Sequence, residues 1–217
     1  MPSIAAGKFL PNRMVFFFRQ ALEDTIGRTA VELIWRSVGS RRKCLSPSGF
    51  LGGFPPVKDD LEKAVDFECF ASLCASIEQE YGGSGARTIL HQAGCVSLSQ
   101  TLRSTAEMVG LEGPRLHARN DSDRIAEGLT SVARLLELIS DMRCSAEALP
   151  QGYCFRVTAC PECMGRRTGR ICYSIGGMLR GALDWLGVDP AVSVTETKCI
   201  AEGAVGCEFS LPALFKD

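Results

Sequence analysis

The amino-acid sequence predicts an α+β domain on three observations. The first two thirds repeat apolar residues at helical spacing. From Tyr153 the pattern alternates residue by residue, as a strand does. The stretch ETKCIAEGAVGCEFSL, residues 196–211, reads as strand, glycine-containing turn and strand. A helix-rich front and a strand-rich end suit an α+β architecture, since a doubly wound fold would interleave the two.

In chain order, residues 1–9 read as an arm. Asn12 is placed to cap a helix over 13–26, closed by Gly27, and a second helix covers 29–38. Residues 39–56 form a loop rich in Gly, Ser and Pro. Asp66 then caps a helix whose apolar stripe is Phe67, Phe70, Cys74, Ile77 and Tyr81, stopped by Gly82 and Gly83. Further helices are expected over 84–98 and near 100–109. The longest stripe, Ile125, Leu129, Val132, Leu136, Ile139 and Met142, marks a helix over 121–143. Tyr153, Phe155 and Val157 alternate with Cys154, Arg156 and Thr158 in a strand, and a loop carries CPECMGRR over 160–167. Cys172 opens a helix reaching about Trp185. Its Gly176, Gly177 and Gly181 cost helix propensity, which close backbone packing on the sheet would explain. Segments 191–199 and 206–211 are the last strands. The whole reads as one domain over 1–217, with a helical region at 1–60 and a core motif at 150–212.

The chain has 217 residues, 46% apolar and 23% charged, with a net charge of -1. This balance gives no case for a nucleic-acid or anionic-membrane partner. No apolar run reaches the roughly 18–20 residues that span a bilayer. The apolar run Met14 to Phe18 is closely flanked by Arg13 and Arg19, unlike a secretory signal, so a cytoplasmic location is expected. Eleven cysteines are many for such a chain. Cys44, Cys69, Cys74, Cys95 and Cys144 are scattered and read as small buried hydrophobes. Cys154, Cys160, Cys163, Cys172, Cys199 and Cys207 crowd the end too densely for that reading alone.

Cys172, Glu196, Cys199 and Cys207 supply three thiols and a carboxylate, a complete ligand set for a closed zinc site. The terminal hairpin would bring Cys199 and Cys207 together. Four unrelated buried residues are the plainer alternative. Cys160 and Cys163 form a CxxC, read as a second metal pair, a redox pair or alternative ligands to the first cluster; with Cys172 and Cys199 or Cys207 they would also suit an iron–sulfur cluster. His91 and His117 are the only histidines, which argues against hydrolase triads. His91 reads as a packed or surface helix residue, and His117 as a candidate for a ligand hydrogen bond. Tyr153 and Phe155 read as core residues that are also candidates to line an apolar pocket. The GGSG at 82–85 follows no strand and reads as a helix–helix turn, not a phosphate loop.

The run from Cys172 to Phe209 resembles the 4-vinyl reductase domain family. The matching residues are Cys172 with Gly177 and Gly181, Glu196-Thr-Lys-Cys199, Gly203, and Gly206-Cys207-Glu208-Phe209. It is similar as well to sensor domains of hydrocarbon-responsive transcription activators, in which three cysteines and a glutamate hold zinc beside a buried aromatic ligand. Upstream, PNRM (11–14), FPP (54–56), EQEYGGSGAR (78–87) and CPECMGRR resemble stand-alone bacterial members. The resemblance implies helices packed on an antiparallel sheet, related to transport-particle subunits and the haem nitric-oxide sensor fold. It implies a homodimer built with the N-terminal helices. It also implies a non-catalytic sensor or carrier for a hydrophobic, aromatic or tetrapyrrole ligand. The alternative it carries is a component of bacteriochlorophyll biosynthesis acting in vinyl-group reduction. No flavin, nicotinamide or other hydride-donor motif accompanies it.

Overall fold

Apolar faces at helical spacing build the first layer. The structure, a computed structural model, describes residues 7–41, 44–46, 49–50, 54–111, 121–166 and 169–213. Strand β1 (Phe9–Pro11) leads into α1 (Asn12–Ile26), which buries Met14, Val15, Phe18, Ala21 and Leu22. α2 (Arg28–Arg41) follows directly after Gly27, whose φ of 85° turns the chain where a side chain would be strained. A small hairpin, β2 (Leu45–Ser46) and β3 (Gly49–Phe50), falls within the segment read as loop. β4 (Lys63–Asp66) then pairs antiparallel with β1, so the expected arm ends in a strand.

Asn12 is not the cap of α1. Pro11 holds that position, and the Asn12 amide instead donates to Asp60 Oδ1 at 2.9 Å. Asp66 does cap the next helix, accepting from the Cys69 amide at 2.9 Å. That helix, α3 (Phe67–Thr105), spans 39 residues but breaks at Gly82, which leaves helical geometry at φ 69°, ψ 167°. The glycine expected to stop a helix therefore kinks the chain between two long segments. A 3-10 turn (Ala106–Val109) ends this part. Ser97 Oγ donates to the Met14 carbonyl at 2.7 Å, tying α3 to α1 inside the core. Cys44 and Cys69 were read as separate small hydrophobes; they are joined in a disulfide that ties the chain before β2 to the first turn of α3.

The second half holds α4 (Asp121–Ile139), β5 (Arg143–Leu149), β6 (Gly152–Ala159), α5 (Tyr173–Trp185), β7 (Thr195–Lys198) and β8 (Cys207–Pro212). The four strands form one antiparallel sheet in the order β5-β6-β8-β7. Tyr153, Phe155, Val157, Phe209 and Leu211 are buried in the same core as the helices. β5 lies at the sheet edge and buries no residue fully; its alternation of Cys144, Ala146 and Ala148 with Arg143, Ser145 and Glu147 is a strand pattern built from small residues, weak beside the longer apolar stripes. No described helix is long and apolar enough to cross a membrane.

The glycines of α5 face a helix, not the sheet as expected. A Cβ on Gly177 would stand 1.9 Å from the His91 carbonyl oxygen, and one on Gly181 2.5 Å from that of Cys95. On the other side, a Cβ on Gly94 of α3 would stand 2.0 Å from the Ser174 carbonyl oxygen. The two helices thus touch backbone to backbone. Overpacking a tight site costs about 1–3 kcal/mol, more than the roughly 1 kcal/mol an alanine gains in helix propensity. Gly177→Ala is therefore expected to lower the urea midpoint of unfolding. A midpoint at or above the parent's would mean that α5 does not lie against α3 in this way.

Candidate metal centre and ligand cleft

Three local features converge on the start of α5. The first is the loop after β6, which carries Cys160 and Cys163. The second is Cys172 itself, one residue before the helix. The third is the β7–β8 hairpin, where Cys199 ends one arm and Cys207 opens the other. Gly203, at φ 92°, closes the 3-10 turn between those arms. All five thiols belong to residues that are at most 2% exposed.

The sulfur atoms form one cluster. Cys172 Sγ lies 3.4 Å from Cys160 Sγ, 3.5 Å from Cys207 Sγ and 3.7 Å from Cys199 Sγ. Cys207 Sγ lies 3.4 Å from Cys163 Sγ and 3.9 Å from Cys199 Sγ. Glu196 enters from β7, and its Oε2 accepts from the Cys172 amide at 3.2 Å. Its Oε1 is buried without a hydrogen-bond partner. The geometry thus joins Cys172, Glu196, Cys199 and Cys207, and adds Cys160 and Cys163 to the same place.

Shared protons set the electrostatics. Hydrogen bonding to Cys160 and the other thiols raises Cys172 well above the ordinary thiol range. Hydrogen bonds from Cys163 and Cys172 pull Cys199 down to about 6. Cys207 is pulled down in the same way, by Cys160 first and by Cys172 and Cys199 as well. Burial, and then the charge of Cys199, pushes Glu196 up to about 8. A set of thiols in which Cys199 and Cys207 lose their protons readily is suited to a soft or borderline cation, which binds thiolate.

Glu162 was passed over in the sequence as a residue inside CPEC. It is fully buried and accepts from the Ser174 amide at 2.9 Å, the Ser174 hydroxyl at 2.7 Å and the Ile175 amide at 3.2 Å. It therefore caps α5 from a distant loop and ties that loop to Cys172. Burial pushes its carboxyl up to about 8 against the opposing pull of Ser174 and Ile175. The only available signal was an acidic residue between two cysteines, which says nothing about a helix twelve residues away.

A cleft of about 340 Å³ adjoins the cluster, lined by Arg87, His91, Arg170, Tyr173, Thr195 and Phe209 together with Cys172 and Glu196. The Arg87 guanidinium sits 5.3 Å over the Tyr173 ring. Arg170 bonds Glu202 and the Glu196 carbonyl. Burial, then the charge of Arg180, lowers His91, so its ring is neutral at pH 7. Tyr153 and Phe155 do not line this cleft: the Tyr153 hydroxyl donates to the Ser122 carbonyl at 3.0 Å, and Phe155 is packed in the core. His117 lies outside the described residues.

Neither protein-family models nor curated proteins give a match to this chain. Solved structures do. A triple mutant of an H-NOX protein from S. oneidensis in the Fe(II) ligation state is 12% identical, with a TM-score of 0.58 over 94% of this chain and 97% of that one. A Fe(II) unliganded H-NOX protein from K. algicida is 9% identical, with a TM-score of 0.55 over 96% and 100%. An H-NOX mutant from T. tengcongensis is 14% identical, with a TM-score of 0.52 over 93% and 100%. At these identities the likeness establishes the fold: helices and an antiparallel sheet arranged as in H-NOX proteins.

Two expectations are corrected. The assignment to the 4-vinyl reductase family falls, because no family model matches and the similar structures are H-NOX proteins. The zinc assignment, and the iron–sulfur alternative with it, falls as well, since these neighbours are described as iron(II) proteins. The physical reason lies in the donors. The zinc reading took one closed set of four ligands from spacing, whereas six donor side chains converge here, and their spacing does not single out an ion.

The capping role of Glu162 gives a test. Glu162→Ala leaves the Ser174 and Ile175 amides buried without an acceptor, at about 1–3 kcal/mol. The expected result is that loss in chemical denaturation, partly recovered by Glu162→Gln, whose amide oxygen still accepts. Equal stability of all three proteins would remove the cap.

Proposed function

We propose that this chain is a non-catalytic small-molecule-binding domain, a sensor or carrier, whose ligand cleft abuts a thiolate metal centre. The observation that carries the reading is the sharing of Cys172 and Glu196 between cleft and cysteine cluster. The H-NOX-like fold supports a sensory role. A centre whose positions are all filled by side chains offers no place for reactive water, which favours binding over catalysis.

Haem is the group that the fold implies, and the described residues do not fit it. Haem iron takes an axial histidine, cysteine, methionine or tyrosine and needs an enclosing apolar slot. His91, the only described histidine, borders a cleft of about 340 Å³ carrying Arg87, Arg170 and Glu196. Behind it, α3 and α5 are in backbone contact at Gly177, which leaves no gap for a macrocycle. The same crowding argues against other tetrapyrroles.

The lining favours a smaller ligand. Phe209, Val194 and Tyr173 supply apolar surface, and Arg87 and Arg170 supply positive charge. A compact aromatic molecule bearing an acidic group matches both. A thermal-shift screen of aryl carboxylates and phenols is expected to find a stabilising ligand. The gain should follow RT ln(1 + [L]/Kd), about 2.7 kcal/mol at roughly 100 times Kd. Arg87→Ala should weaken an acidic ligand about tenfold, about 1.4 kcal/mol, and a neutral analogue little. Chemical turnover of a bound ligand would overturn the binding reading, and equal losses for both ligand types would remove Arg87 from recognition.

The homodimer belongs to this reading too. Leu33 on α2 is 63% exposed, and Tyr81, 38% exposed, lines the same shallow cleft. Both support association through the N-terminal helices. Leu33→Glu is expected to sediment as a monomer where the parent sediments as a dimer; a monomeric parent would refute the association.

A further inference from the structure

We propose that the cysteine cluster holds two metal ions, with Cys172 and Cys207 each bridging both. The proposal rests on the metal-centre reading above and deepens it. Its starting point is a count of donors. Cys160, Cys163, Cys172 and Cys207 form one set of four whose ligand atoms all lie within 4.8 Å of one another. Cys172, Glu196, Cys199 and Cys207 form a second such set. The two sets have Cys172 and Cys207 in common. Two tetrahedral ions sharing one edge need eight coordination positions. Four terminal donors and two bridging thiolates fill all eight, and the six side chains present are that complement.

The distances agree. A metal–thiolate bond of about 2.3 Å in tetrahedral geometry sets sulfur atoms about 3.8 Å apart. The five sulfur–sulfur distances of 3.4 to 3.9 Å all lie near that edge length. Cys172 and Cys207, the proposed bridge, are 3.5 Å apart. Cys172 also touches Cys160 on one side and Cys199 on the other, and Cys207 touches Cys163 and Cys199, as bridging atoms must. The sixth donor, Glu196, aims a buried oxygen with no hydrogen-bond partner into the second set.

Charge favours two ions over one. Five thiolates and a carboxylate carry six negative charges. One divalent ion offsets two of them, and two ions offset four. The guanidinium nearest the CxxC loop, Arg166, is already committed to Glu78, and Arg170 to Glu202. With one ion, either a large negative charge stays buried or two donors stay protonated and unbound. The ions are of the thiophilic divalent class, since five of the six donors are sulfur. Binding each ion displaces the protons still held by its thiols, with no change of oxidation state.

Cadmium(II) is the probe. Full-length protein, stripped of metal and reduced at its free thiols under anaerobic conditions, is titrated with cadmium(II) and counted by native mass spectrometry. Two ions per chain are expected. Cadmium NMR should then give two resonances, one for an all-sulfur site and one for a site with an oxygen ligand, with a coupling between them carried through the bridging sulfurs. The Cys160→Ser, Cys163→Ser double variant should keep one ion, with the mixed-ligand resonance. The Glu196→Gln, Cys199→Ser double variant should keep one, with the all-sulfur resonance. Circular dichroism of each variant confirms that it is folded. One ion in the parent protein, or two uncoupled resonances, overturns the bridged centre and leaves the mononuclear reading standing. No bound ion in the parent sinks both.

Discussion

Helices α3 and α5 touch backbone to backbone because Gly94, Gly177 and Gly181 carry no side chain at the contact. The rest of the molecule is arranged around that approach. It fixes the axial position of α5, and with it the place where Cys172 emerges at the helix start. It sets His91 and Arg87 beside Tyr173, forming one wall of the cleft. It also closes the space between these two helices, so no ligand can enter between α3 and α5 at Gly177. Interiors are packed too densely for a helix to shift outward without losing contacts along its length.

Around this contact the site is held by unlike interactions. Glu162 reaches from the CxxC loop to the first turn of α5 and satisfies amides that a helix start leaves open. Cys160 and Cys163 stand in the same loop, so the residue that caps the helix also orients the sulfurs that face Cys172. The Arg166–Glu78 ion pair anchors the far end of the loop to α3. Each tie joins elements distant in sequence. The loop cannot drift from the helix without breaking a thiol contact, a cap and an ion pair together.

The sequence was legible where periodicity was strong. The stripe from Phe67 to Ile77, the cap at Asp66, the helix from residue 121 and the strand at Tyr153 are all present, while Tyr81, the expected end of the stripe, is exposed. Local pattern failed where a distant partner decided the outcome. Asn12 looked like a cap, but Asp60 captures its amide. β1 and β4 are short and gain order by pairing with each other and by bonding to Asp141 beyond α4. β5 is an edge strand whose apolar face is made only of Cys144, Ala146 and Ala148, too small to announce it. At the site, Glu196, Cys199 and Cys207 were readable because one hairpin carries all three. That Cys160 and Cys163 join them is a property of tertiary structure, since spacing is silent about which loops meet. The glycines of α5 signal close packing, but the expected partner, the sheet, is wrong: Gly177 and Gly181 meet the backbone of α3.

On the proposed reading, the sharing of Cys172 and Glu196 between cleft and sulfur cluster would tie two equilibria together. Any ion that draws Glu196 inward changes the wall that a cleft ligand meets. Thermodynamic reciprocity then applies: the factor by which metal occupancy alters ligand affinity is the factor by which ligand alters metal affinity. A domain so built reports a small molecule through the ion's dissociation constant as readily as through a change of shape. Its response would depend on the free concentration of a second species in the surroundings, making it a detector of two inputs at once.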